Sequence, residues 1–356
     1  MKIGVYDPYL DDLGGGEKYM MSVASCLAQE HDVTVFWDNK SDIEAFKKRF
    51  TVPMEKISIQ KNIFSSNIGF FKRSRMVRKY DALIILSDGS IPFVYPTKLF
   101  LHIQQPIPQR QFTFKDKIKI RCISAIFYNS QFTQQFNNSL FSGVKNTIIY
   151  PPVKLLNTQE KKENIIIHVG RFRTKNVDAQ DYKKQSFMID AFKKLVDQGL
   201  KGWKFQLASS VKKEDEEAFS ILRKNAKGYP IEFYINKSNQ ELFALYNKAK
   251  IYWHASGYGE DLKKHPELAE HFGITTVEAM GAGTVPVVIN SGGQKEIVTD
   301  HKNGMLWNTL PELLEKTNQV ANNKMLWQEL SKDAIIRAQD FSEEKFRNDI
   351  KKLIIE

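Results

Sequence analysis

Cysteine is scarce: the 356 residues include two, Cys26 and Cys122, far apart in the chain. That excludes a disulfide framework or a cysteine-built metal site and leaves both as reduced packing residues. Long apolar runs are missing as well, and no stretch reaches the length that crosses a bilayer. The opening Met1-Lys2-Ile3-Gly4-Val5-Tyr6-Asp7 reads as a short buried strand and not as a secretory leader, because Asp7, Asp11 and Asp12 come too soon. The expected location is therefore the cytoplasm, with peripheral contact at the inner face of a membrane still open. The chain has neither G-x-G-x-x-G nor a P-loop lysine pattern, which argues against a nicotinamide cofactor. No D-x-D run lies beside a strand end, so no divalent metal and no resident cofactor are expected.

The length suits two domains of ordinary size. Hydrophobic residues make up 42% and charged residues 26%, the balance of a globular protein. Short apolar runs at 3–6, 33–37, 57–59, 82–86, 99–103, 123–128 and 147–150 read as strands, with helical patterns over 16–29 and around 72–79. Strands alternating with helices, without hairpin turns, predict an α/β fold with a parallel sheet covered on both faces. Tyr150-Pro151-Pro152-Val153 breaks the pattern, and a polar stretch over 157–164 follows. A second α/β series begins at Ile165, with strands at 165–169, 204–208, 231–235, 251–254 and 285–289 and a helical tail from Pro311. The expected domains are 1–152 and 153–356, the tail included in the second.

The densest signal is Glu270-His271-Phe272-Gly273-Ile274-Thr275-Thr276-Val277-Glu278, followed by Ala279-Met280-Gly281-Ala282-Gly283-Thr284-Val285-Pro286. Gly273 permits a tight turn and close approach of backbone to a ligand. From Ile274 the pattern is helical, and a helix N-terminus offers unpaired N–H groups and a positive dipole end to a diphosphate. Glu278 lies one turn further on, within reach of a ribose. Glu270 precedes the turn and faces the other end of the same ligand. One carboxylate at each end of a phosphate-binding turn suits an activated sugar.

This E-x7-E string with A-M-G-A-G-T-V-P resembles the donor site of retaining glycosyltransferases of family 4, which have the GT-B fold of two facing Rossmann-like domains. The variant E-H-F-G-I-x-x-V-E-A-M is similar to that of the eukaryotic mannosyltransferase acting on a lipid-linked oligosaccharide. The resemblance implies Glu270 as a catalytic residue and Gly273, Ile274, Thr275 and Glu278 as donor-binding.

Other segments fit the same resemblance. Asp11-Asp12-Leu13-Gly14-Gly15-Gly16-Glu17 follows the first strand and opens a helix. Gly14, Gly15 and Gly16 resemble the family's loop near donor phosphates and acceptor; a plain strand-to-helix turn is the other reading. His102, in Leu101-His102-Ile103-Gln104-Gln105-Pro106, sits at a strand end among apolar neighbours. Alone it reads as a core histidine, whereas the resemblance implies a catalytic side chain facing the transferred sugar. Arg171, in Gly170-Arg171-Phe172, and the pair Lys183 and Lys184 match the family's diphosphate cations, Lys183 being the first choice of the pair. Fixed cations would stabilise the charge that builds on a departing diphosphate. The loop 173–182, with Arg173, Lys175, Asp178 and Asp181, has no assigned role. Ser291-Gly292-Gly293-Gln294-Lys295-Glu296-Ile297-Val298 is structural as readily as functional. The strand end Ile235-Asn236-Lys237 is where backbone groups hold the base in such folds.

The net charge is +11 and unevenly spread. Residues 47–80 hold ten cations against Glu55 alone, a net +9, among Phe50, Ile63, Phe64, Ile68, Phe70 and Phe71. Cations beside aromatics fit an anionic membrane surface; a solvated loop with core aromatics fits equally, and nucleic acid fits less. The expected function is transfer of a hexosyl unit, mannose as first choice, from a nucleoside-diphosphate sugar substrate to a glycan or lipid-linked acceptor. The alternatives are a GT-B sugar-nucleotide epimerase and a non-enzymatic basic module.

Overall fold

The computed structural model describes residues 1–12, 14–92, 94, 98–107, 113–155, 160–174 and 181–356. By contacts the chain divides into two units, Met1–Pro152 with Glu343–Glu356, and Val153–Ser342.

Among the described residues, the first unit is built on seven strands: β1 Lys2–Tyr6, β2 Asp32–Phe36, β3 Ile57–Gln60, β4 Ala82–Leu86, β5 Lys98–Ile103, β6 Ala125–Tyr128 and β7 Asn146–Ile148. Their order is β3-β2-β1-β4-β5-β6-β7 and every pairing is parallel. β4 is buried at every position, the continuous apolar pattern of a strand covered on both faces. Separate cores form on the two faces. One packs Val5, Val33 and Ile84 under the helix Gly15–Leu27, and the other packs Leu83, Leu101 and Ile126 with Val77. The chain direction across the sheet reverses between β1 and β4, which opens a crevice beyond their carboxyl ends.

The second unit holds six described strands: β8 Glu163–Phe172, β9 Lys204–Val211, β10 Ile231–Ile235, β11 Ala249–His254, β12 Val285–Ile289 and β13 Met305–Trp307. Their order is β10-β9-β8-β11-β12-β13, again parallel. Here the reversal falls between β8 and β11. The carboxyl ends of those two strands carry Arg171 and His254.

The helical tail is divided differently from the sequence expectation. The helices Leu310–Asn322 and Lys324–Ala338 belong to the second unit, but Glu343–Ile354 belongs to the first. Phe346, Ile350 and Ile354 recur every fourth residue, forming an apolar stripe. That stripe is buried in the first unit's core, and the Phe346 ring meets Tyr19 edge-on at 5.2 Å. Domain 153–356 is therefore corrected to 153–342. The short strand β13 and the polar helices Lys40–Arg49, Phe114–Ile120 and Gln131–Asn137 are further additions. They are too short or too polar to impose a clear apolar period.

Candidate active site

The second unit gathers most of the sequence-predicted residues. Gly273 stands at φ 120°, and a Cβ there would lie 2.5 Å from Gln294 Nε2, so only glycine fits. The helix Ile274–Gly281 starts immediately after it. The Gly273 carbonyl accepts from Thr276 and Val277, while the N–H groups of Ile274 and Thr275 meet no partner among the described residues. They are the open donors a helix N-terminus presents. Thr275 Oγ1 lies 2.8 Å from Tyr252 Oη, and Glu278 accepts a hydrogen bond from Tyr246 Oη at 3.3 Å.

Glu270 lies at the heart of a charged cluster. Its Oε2 accepts from Lys183 Nζ at 2.6 Å and from His254 Nε2 at 2.8 Å. Burial pushes the Glu270 carboxyl up, but the Lys183 ammonium and the His254 hydrogen bond outweigh it and hold it well below its ordinary value. Burial pulls Lys183 down, and Glu270 beside it more than restores it. His254 is fully buried; burial lowers its pKa further than Glu270 raises it, so the imidazole is neutral. Arg171 is exposed and has no ion-pair partner among the described residues, and its charge is felt at Lys183 and Tyr182.

The two lysines separate. Asp181 and Lys184 both adopt left-handed backbone, at φ 54° and 56°. The Asp181 carboxylate caps the helix Gln185–Asp197, accepting from Gln185 N and Ser186 N at 2.7 Å each. This turn sends Lys183 to Glu270 and Lys184 to a pair with Glu260. Of loop 173–182, Lys175 and Asp178 lie outside the described residues; Arg173 and Thr174 bind Asp215.

Gly292 and Gly293 buttress the turn. A side chain on either would collide with the backbone of Glu270 or Phe272, and the Gly293 N–H donates to the Glu270 carbonyl at 2.7 Å. Asn236, at φ 52°, commits its side chain to the backbone of Val211.

In the first unit, the Gly14 N–H donates to the buried Glu17 carboxylate at 2.5 Å, Gly15 begins the helix, and Gly16 leaves room for the Gln104 side chain. Leu13 lies outside the described residues. His102 is 0% exposed. Its ring stacks on Tyr19 at 4.1 Å and on Phe127 at 4.7 Å, and Nδ1 donates to the Phe127 carbonyl at 3.1 Å. Burial pushes its pKa down to about 3, and Nε2 is left as a buried acceptor without a partner.

The basic window splits. Phe64 stacks on Tyr6 at 4.4 Å, Ile63 is core, and Arg73 donates to the carbonyls of Ile63, Ser65 and Ile68. Phe70 and Phe71 are exposed, the latter 87%, beside exposed Lys72, Arg75 and Arg78. Sequence reasoning missed Phe114, exposed on a helix that buries no residue, His254 at the end of β11 and His168 within β8. The position of His254 at the carboxyl end of a strand was the available signal.

Comparison with known proteins bears on this geometry. The glycosyl transferases group 1 family model matches residues 156–340, just over half of the chain. The chain is 23% identical to a Dictyostelium discoideum protein named GDP-Man:Man(3)GlcNAc(2)-PP-Dol alpha-1,2-mannosyltransferase, covering 99% of this chain and 84% of that one. The human protein of the same name is 26% identical over 71% of this chain and 47% of its own, so the chain spans about half of that relative. Among solved structures, Anabaena HepE in complex with UDP superposes with a TM-score of 0.75 at 17% identity, covering 100% of both chains. Sucrose-phosphate synthase from Thermosynechococcus elongatus gives 0.70 at 13% identity, over 99% and 98%. At these identities the likeness shows the fold alone, the two-unit α/β architecture of GT-B.

Proposed function

This chain belongs to the group 1 glycosyl transferases, and on that premise we propose that it moves a mannosyl unit from GDP-mannose to a lipid-linked oligosaccharide, with retention and without a metal. The names of the two mannosyltransferase relatives suggest the sugar, the base and the acceptor class. The observation that carries the reading is the cluster at the Gly273 turn: an ionised Glu270 paired with Lys183 and, among the described residues, open N–H groups on Ile274 and Thr275 and an Arg171 without an ion-pair partner.

In this reading the diphosphate lies on the Ile274 and Thr275 N–H groups, with Arg171 and Lys183 neutralising it. Glu278 holds the ribose. Glu270 contacts the sugar; in the first unit, His102 offers its open Nε2 as an acceptor. The bond from sugar C1 to the diphosphate breaks with its electron pair leaving on the phosphate oxygen. The acceptor hydroxyl oxygen bonds to C1 from the same face, and its proton passes to the departing diphosphate. Fixed cations at that oxygen supply the charge stabilisation a metal otherwise gives.

Among the described residues no helix is long and apolar enough to cross a membrane. Peripheral contact through Phe70, Phe71 and the cations beside them is part of the proposal. Thermal shift over GDP-, UDP- and ADP-sugars tests the donor, since a ligand that binds only the native state raises its stability. GDP-mannose should stabilise the protein most; indifference to every sugar nucleotide overturns the proposal.

A further inference from the structure

His254 ends β11, is buried, and has no part in the reaction as proposed so far. We propose that it is a positioning residue that fixes the Glu270 carboxylate so that Oε1 alone is offered to the donor sugar. The inference rests on the donor reading above.

Glu270 is ionised, so its oxygens can only accept, and His254 Nε2 must carry the hydrogen. Both donors, His254 and Lys183, converge on Oε2. Oε1 meets no partner among the described residues. A lysine on a flexible stem sets the charge but holds a carboxylate's orientation poorly. An imidazole at the end of a central strand sets direction, because two torsions and close packing define its place. The His254 ring lies 6.0 Å from that of His168 and 6.4 Å from that of Tyr252. His168 is locked in turn by its Nδ1 donating to the Trp253 carbonyl at 2.9 Å. The Tyr252 hydroxyl contacts Thr275 in the first turn of the phosphate-facing helix. The backbone of Glu270 is held separately by Gly293. With both ends anchored, the carboxylate has one free oxygen with a defined direction.

Neutrality of His254 belongs to the same arrangement. The charges of Glu270 and Lys183 cancel, and a protonated imidazole would bury an extra positive charge beside the lysine. When a diphosphate draws on Lys183, His254 is the contact that keeps Glu270 in place. Its loss should therefore affect the sugar's reaction and spare the nucleotide's binding.

The test uses the full chain with His254→Phe, which removes the donor, His254→Asn, whose amide stops short of Glu270, and His254→Gln, which restores an N–H near the Nε2 position. GDP affinity is measured by calorimetry and turnover as GDP release from saturating GDP-mannose in the presence of a lipid-linked oligosaccharide acceptor. The Phe and Asn variants should lose about tenfold to a hundredfold in turnover, the scale of a misplaced reacting group, and the Gln variant should recover most of it. GDP affinity should stay within about twofold in all three. If the Phe variant does not fold, the Asn variant carries the comparison with Gln. Turnover within about threefold of wild type for both Phe and Asn overturns the proposal. So does an equal fall in all three accompanied by lost GDP affinity, which marks a merely structural role. Wild-type protein that binds neither GDP nor GDP-mannose overturns the donor reading itself, and this inference with it.

Discussion

Two buried histidines at strand ends, one in each unit, do different work. His102 on β5 lies between Tyr19 and Phe127 and spends its hydrogen on a backbone carbonyl. His254 on β11 spends its hydrogen on a carboxylate that also holds a lysine. Burial keeps both neutral. In the first unit the polar atoms near the crevice are tied to backbone and packed between rings. In the second they form a charge-paired group with one oxygen left open. The second unit is thus built to hold an anion beside a cation, and the first to hold a polar acceptor within an apolar wall.

The largest expected effect breaks this contrast directly. Glu270→Ala should lower turnover by about 10²-fold or more, the usual result of deleting a fixed charge at a reacting centre. His102→Phe fills the same slot between two rings, and its stability should stay within about 1.5 kcal/mol of wild type. Its turnover should fall because Nε2 is lost. Steady-state kinetics on both variants decides, and full activity in the Phe variant would leave His102 as a packing residue alone.

Glu278→Ala comes next. Losing a ribose hydrogen bond should weaken donor binding by about 1–3 kcal/mol while the chemical step is spared. Calorimetric titration with GDP-mannose reads it. An unchanged affinity contradicts the placement of Glu278.

Acid should separate the units. Burial pushes His102 and His168 down to about 3 and lowers His254 and His271. Below the ordinary histidine pKa the unfolded chain gains protons that these native side chains refuse, so stability falls as pH falls. Asp7, which burial pushes up to about 7, acts in the opposite sense: native Asp7 holds a proton the unfolded chain has lost. In the first unit Asp7 offsets His102 between about pH 4 and pH 6.5. The second unit has three such histidines against Asp181, whose carboxyl burial also raises. Each uncompensated group contributes about 1.4 kcal/mol per pH unit. Amide exchange at pH 7 and pH 5 should show protection lost first in residues 153–342, and equal loss in both units would contradict this balance.

The smallest effect concerns the surface of the first unit. Lys72, Arg75 and Arg78 replaced by Ser should weaken sedimentation with anionic vesicles by about 1 kcal/mol per cation at low salt. Arg73 is left in place because it braces three carbonyls. Binding indifferent to these changes removes the membrane role.

Much of this was legible in sequence because it depends on local rules. The α/β alternation appears as apolar runs separated by helical periods. The Gly273 turn shows in Glu270–Pro286 because a positive φ and a Gln294 side chain against the vacant Cβ position demand glycine. The choice between Lys183 and Lys184 was hidden, since it turns on the left-handed backbone of Asp181 and Lys184, which sequence does not reveal. Arg73 looked like one more surface cation, and only tertiary packing makes it a brace. His254 was hidden for a similar reason: sixteen residues separate it from Glu270, and only the fold brings them together. The helix Glu343–Ile354 showed its apolar stripe but not which sheet that stripe would cover.

That helix also fixes an order of events. Synthesis runs from N-terminus to C-terminus, yet the first unit lacks part of its core until Phe346, Ile350 and Ile354 emerge. The second unit is complete at Ser342. The half of the protein begun first is therefore sealed last, and during that interval Tyr19 and its helix have an uncovered apolar face for a holding chaperone to shield. A chain that loses only the helix Glu343–Ile354 would keep the unit carrying Glu270 and leave the other unsealed.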